Sequence, residues 1–148
     1  MKTMKLMMFA LLVVLAGCKG DENSLKFLKG REWQLKSMQM DGKAVQNPAE
    51  VPVLQFSDST AVYGSAGCNR FFGKYTADAK GNMTIQPGGS TMMFCPDMEF
   101  EDQYMKSLPQ VKNFEITGQQ LTLKGESGKL QLVYTVVADT TKSENSQR

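Results

Sequence analysis

"LTLKGESGKLQLVYTV", residues Leu121 to Val136, decides the fold class. Leu121 and Leu123 alternate with polar neighbours, Gly125 to Gly128 supplies a turn, and Leu130, Leu132, Tyr134 and Val136 then fall on every second position. Successive side chains of an extended strand point to opposite faces, so the pattern describes two strands, each with one face to bury.

The same cadence runs back towards the amino terminus, with turn residues about every eight to twelve positions. Phe114 and Ile116 alternate ahead of Gly118, and Met83 to Ile85 follow a Gly81-Asn82 turn. Phe71 to Thr76 forms a further strand, and Val53 to Phe56 pairs with Thr60 to Tyr63 around Ser57-Asp58-Ser59. The first strand, Glu32 to Met40, changes phase near Ser37, where Trp33 and Leu35 give way to Met38 and Met40, which predicts a bulge or bend. Asp41-Gly42 is a turn signal, and Asn47-Pro48 with Pro52 makes the next connection irregular. One helix interrupts the strands. From Pro96 to Leu108, Met98, Phe100, Tyr104, Met105 and Leu108 gather on one face, Asp97 and Glu99 stand in the first turn, and Pro109 cannot extend the helix. The expected fold is mainly β (α+β): a strongly coiled antiparallel sheet or small barrel of about seven or eight strands with one α-helix, closure protecting the sheet edges.

The amino terminus reads as a secretory signal over residues 1–17: Lys2 and Lys5, an apolar run of ten from Leu6 to Leu15, then Ala16 and Gly17. The run is shorter than the about 20 apolar residues needed to cross a bilayer. Leu15-Ala16-Gly17-Cys18 resembles the bacterial lipobox, which implies cleavage before Cys18 and its lipidation. Several acyl chains on one cysteine anchor a protein stably. With Lys19 rather than aspartate in second place, the resemblance implies the outer membrane, on its periplasmic or surface face. Residues 18–29 are expected to form a lipidated tether, 30–137 the domain, and 138–148 a disordered tail.

Without the signal, 15 basic side chains balance 15 acidic ones, which offers nucleic acid no electrostatic footprint. The chain has no histidine, which excludes a histidine-based catalytic triad and removes the commonest zinc ligand.

"GSAGCNRFFGKY" (Gly64 to Tyr75) and "STMMFCPDMEFEDQYMKSLPQVKNFEITGQQLTL" (Ser90 to Leu123) resemble the META domain of HslJ-like bacterial lipoproteins. The resemblance runs from about Trp33 to Tyr134 and rests on Gly67-Cys68-Asn69, Gly73 and Tyr75, Ser90-Thr91, Cys95-Pro96, and the strand pair around Leu121-Thr122-Leu123. Phe94 stands where a small residue is usual, and Met92-Met93 where a basic residue often appears. The resemblance implies a compact β-rich envelope domain, heat-inducible in some members, with no established enzyme activity, so no catalytic residue is carried over and no cofactor is expected.

With Cys18 taken by lipid, Cys68 and Cys95 are expected to pair in an oxidising compartment. Closing a loop of 28 residues contributes about 3.5 kcal/mol in the chain-entropy model. A redox role is the rival, since Cys95-Pro96 starts a helix, but the chain has no C-x-x-C pair. Asn69 reads as a turn and backbone-capping residue and Arg70 as a surface residue. Glu99, Glu101 and Asp102 read as the solvated face of the helix rather than as catalytic acids. Seven methionines remain after the signal; Met98, Met105 and Met83 have core positions, while Met92 and Met93 leave Cu(I) ligation as an alternative.

The expected protein is therefore a monomeric, lipid-anchored, non-enzymatic envelope module, stress-related and either structural or binding. Its partners are the membrane, through its lipid, and an envelope protein, a polymer or a small hydrophobic compound, and it has no metal site. An envelope enzyme using acidic residues is the alternative from another class.

Overall fold

The computed structural model describes residues 21–96 and 98–137. The signal, Cys18, Asp97 and the tail lie outside the described residues. Among the described residues, nine strands form one antiparallel, strongly curled half-barrel sheet. They are β1 (Glu32–Met40), β2 (Lys43–Val45), β3 (Val53–Phe56), β4 (Ala61–Ser65), β5 (Arg70–Ala77), β6 (Met83–Ser90), β7 (Val111–Thr117), β8 (Gln120–Gly125) and β9 (Gln131–Val136). The order across the sheet is β6-β5-β4-β3-β1-β9-β8-β7, with β2 paired to β1 alone. The two outer strands approach each other: Asn82 bridges Asn113, and the Phe114 N–H donates to the Gly81 carbonyl at 2.8 Å. Twist and coil thus bring the open edges together at one end, which limits the exposed strand edge.

The stretch quoted first forms β8 and β9, with Leu121, Leu123, Leu132 and Tyr134 fully buried. In β1 the register against β9 shifts between Leu35 and Ser37, so Trp33, Leu35 and Met38 all face the core despite the change of parity. Asn47 Nδ2 donates to the Lys36 carbonyl at this bulge, tying the irregular β2–β3 connection to it. The ninth strand comes from this region: Lys43–Val45 folds back on β1 across Asp41-Gly42, both at positive φ.

Strand β6 runs well past Ile85, through Pro87, Gly88 and Gly89, residues that argue against a strand when read locally. The register shift between Phe72 and Gly73 accommodates Pro87, and a Cβ on Gly73 would collide with the Gln86 carbonyl.

Two α-helices are present among the described residues, where one was expected. Helix α2 (Met98–Ser107) passes directly into a 3₁₀ turn, Leu108–Gln110, which contains Pro109. Pro96 lies in a turn before the helix. Phe100, Tyr104 and Leu108 enter the mouth of the curl. Tyr104 touches both halves of the sheet: its ring meets Phe71 of β5 edge-on at 6.4 Å, and its hydroxyl lies 3.0 Å from that of Tyr134 on β9.

Helix α1 (Glu22–Leu28) corrects the reading of residues 18–29 as a tether. The Asp21 carboxylate caps it through the Ser24 N–H at 2.7 Å. Leu28 is fully buried, and the Trp33 indole N–H donates to the Leu28 carbonyl at 2.9 Å. Arg31 lies over the Phe27 ring at 4.0 Å. The apolar residues Leu25, Phe27 and Leu28 give the helix a face that the sheet covers.

Candidate functional site: a buried polar clasp beside an open groove

The motif residues meet where the β4–β5 turn, the loop after β6 and α2 converge. Cys68 and Cys95 are joined by a disulfide, with their Cα atoms 6.2 Å apart. Gly67, at φ 115, makes the bend that presents Cys68; a side chain there would be strained and would crowd the Glu50 carbonyl. Asn69 is 3% exposed and not left-handed, so its role is not the turn geometry that asparagine usually signals. Its side chain clasps the loop instead. Oδ1 accepts from the Met93 N–H at 2.6 Å and from the Thr91 hydroxyl at 2.9 Å, while Nδ2 donates to the Met93 carbonyl at 3.0 Å and to Glu101 Oε1.

Glu101 corrects the reading of the acidic helix face. Glu99 and Asp102 are exposed, but Glu101 is 7% exposed and points into the clasp. Its Oε2 accepts the Cys68 N–H at 3.1 Å and the Asn69 N–H at 2.8 Å. A carboxylate with three N–H donors is held as a structural acceptor. One signal was available in the sequence: in helical projection Glu101 falls between Tyr104 and Met105, inside the apolar stripe.

Thr91 carries the clasp to the surface. Its Oγ1 accepts the Arg70 N–H at 3.1 Å, and its own N–H donates to the Arg70 carbonyl at 2.9 Å. Beyond it the loop turns outward, leaving Met92 and Phe94 more than nine-tenths exposed. Gly73 acts elsewhere, at the β5–β6 bulge, and Pro96 flanks the disulfide. Among the described residues, no group of three His, Cys, Asp or Glu side chains could hold a metal ion.

Arg70 also lines a mainly apolar groove of about 620 Å³ on the outer face of β1, β3, β4 and β5, which sequence reasoning missed. Glu32, Gln55, Tyr63, Phe72 and Gly89 lie in register across these strands and β6. Tyr63 and Phe72 are 49% and 59% exposed. Phe72 can lie flat because Gly88 and Gly89 have no side chains: a Cβ on Gly89 would come within 3.0 Å of the ring. In the sequence, outward aromatics in a two-residue period look like ordinary strand formers, which hides this feature.

Three solved structures share the architecture. An NMR structure of a protein from Burkholderia xenovorans is 24% identical, covering 84% of this chain and 93% of its own, with a TM-score of 0.67. A crystal structure of a duf4847 family protein from Bacteroides vulgatus is 13% identical, covering 74% and 94%, with a TM-score of 0.57. A further NMR structure is 26% identical, covering 75% and 92%, with a TM-score of 0.54. No curated protein matches the chain. The family model for the META domain matches residues 26–137, a span that takes in the end of α1, the whole sheet, the clasp and the groove; the chain belongs to the META domain family.

Proposed function

We propose that this protein is a lipid-anchored, non-enzymatic component of the cell envelope whose META domain is a stress-related structural or binding module. One observation carries the reading: the polar residues of the motif are consumed by one another, while an apolar groove next to them stays open. The Cys68–Cys95 pair is a crosslink, Asn69 makes four side-chain hydrogen bonds, and Glu101 has three donors. A general acid or base needs a position facing a substrate, whereas Glu101 is 7% exposed and already holds three N–H donors. The groove has the size and apolar lining of ligand pockets, which run from about 300 to 1,000 Å³. Anchoring rests on the lipobox-like Leu15-Ala16-Gly17-Cys18.

The test is an affinity pull-down from crosslinked envelopes with Cys18 intact, alongside Cys18→Ser. The reading expects one stoichiometric partner recovered with the native chain, and loss of membrane association in the variant. A Cys18→Ser chain that still fractionates with membranes, or hydrolytic turnover that is lost in Glu101→Gln while the fold is kept, would overturn it.

A further inference from the structure

The groove does more than offer apolar area, because its charges are arranged unequally. Arg70 stands at one end, and its guanidinium has no carboxylate partner among the described residues, where the salt bridge found is Lys124–Glu115. The Arg70 backbone is pinned by its two hydrogen bonds with Thr91, and Thr91 is pinned in turn by Asn69, so the clasp sets where this cation starts. Glu32 lines the other end and accepts from Gln55 Nε2 at 2.8 Å. Neighbouring strands are about 4.8 Å apart, so the three strand spacings from β1 to β5 separate the two charges by roughly 15 Å. Tyr63 and Phe72 occupy the ground between them. Directly opposed residues of antiparallel strands have Cβ atoms about 5 Å apart. Neither ring belongs to an aromatic pair among the described residues, which are Phe27–Trp33, Phe56–Tyr75, Phe71–Tyr104 and Phe100–Tyr104.

We propose that this groove binds a small amphipathic monoanion, its flat apolar ring system seated on Tyr63 and Phe72 and its anionic group at Arg70. The inference rests on the binding-module reading and gives it a ligand class. An unpaired guanidinium beside exposed rings favours a carboxylate, sulfonate or phosphate carried on an aromatic or alicyclic body. Glu32 repels a second negative charge at the far end, which excludes long polyanions.

The probe is 8-anilinonaphthalene-1-sulfonate, titrated by fluorescence against the full chain in phosphatidylcholine nanodiscs with the signal of empty nanodiscs subtracted. Its uncharged counterpart, N-phenyl-1-naphthylamine, is titrated in parallel. Saturable binding of one sulfonate probe per chain is expected. Arg70→Gln should weaken the sulfonate about tenfold and leave the uncharged probe unchanged. Phe72→Ala should weaken both, and Tyr63→Ser serves the same purpose if Phe72→Ala fails to keep the wild-type circular dichroism. Binding that does not saturate, or that is equal in all variants, overturns the proposal. So does a self-associated chain whose dimer dissociates in Phe72→Ala and which takes up neither probe. If the sulfonate fails while the envelope pull-down recovers a partner, the ligand class falls and the module reading stands; the reverse outcome removes the protein partner and keeps the ligand.

Discussion

The clasp and the groove share Arg70 and Thr91 yet follow opposite rules. In the clasp, polar groups are withdrawn from water and answered one by one, so that a buried carboxylate and amide cost nothing unmatched. In the groove, large apolar groups stay in water that the fold could have excluded. The comparison teaches that the most recognisable residues of the chain hold the architecture, while the aromatic floor of the groove comes from Tyr63 and Phe72, outward strand residues on which the resemblance does not rest.

The largest expected effect tests the clasp. Glu101→Ala leaves the Cys68 and Asn69 N–H groups and the Asn69 amide without their acceptor and should cost about 4 kcal/mol in urea unfolding. Asn69→Ala should also be costly, and the double variant should lose much less than the sum, because the two side chains serve one network. A cost under about 1 kcal/mol for Glu101→Ala would remove the distinction between the two regions.

Next in size is the crosslink. Replacing Cys68 and Cys95 together with alanine should lower stability by about 3.5 kcal/mol or somewhat less. The Met93 contacts with Asn69 remain in that variant, so the loop should keep its place in nuclear magnetic resonance spectra. A loop that detaches would show the disulfide, not Asn69, to be its main restraint.

Beneath the clasp, one helical turn along α2 from Glu101, burial raises the Tyr104 hydroxyl above its ordinary value of 10.0. Burial raises Tyr134 as well, helped by its tyrosine neighbour. Below pH about 10 both folded and unfolded chains keep these protons, so stability is insensitive to pH. Above it the unfolded chain releases them first, and stability should fall by up to about 1.4 kcal/mol per pH unit for each tyrosine. Tyr134→Phe should cost about 1 kcal/mol at neutral pH and should make the alkaline decline shallower. Alkaline unfolding of equal steepness in both proteins would show that these hydroxyls do not govern it.

The smallest effect on stability belongs to the groove. Phe72→Ala changes an exposed side chain and should alter unfolding by no more than about 0.5 kcal/mol, while binding of the naphthalene probes falls. A loss as large as that of Glu101→Ala would mean that the ring serves as packing for Gly88 and Gly89 and not as an open platform.

Most of the sheet was legible because its signal is local. Alternation marked β1, β3, β8 and β9, and the change of phase near Ser37 marked the bulge. Pro87 and the two glycines after it hid the second half of β6, since their compatibility with a strand depends on what lies opposite, here Gly73 and the Phe72 ring. Helix α1 was missed because seven residues carry little helical signal of their own and are held by docking against Trp33. Glu101 was misplaced for a related reason: whether a carboxylate set within an apolar stripe can stay buried depends on a neighbouring loop bringing donors to it, and that loop is distant in sequence.

By itself, the sequence determined the β class, the turn positions, the face of α2 that enters the core and the cysteines available to each other, because each depends on side-chain period or residue chemistry along the chain. Tertiary structure alone decided that Asn69 and Glu101 would be buried partners 32 residues apart, and that Tyr63, Phe72 and Arg70 from two adjacent strands would share an open groove. Partnership and exposure are properties of the space between segments, and that space is set only when the sheet has curled and α2 has closed its mouth.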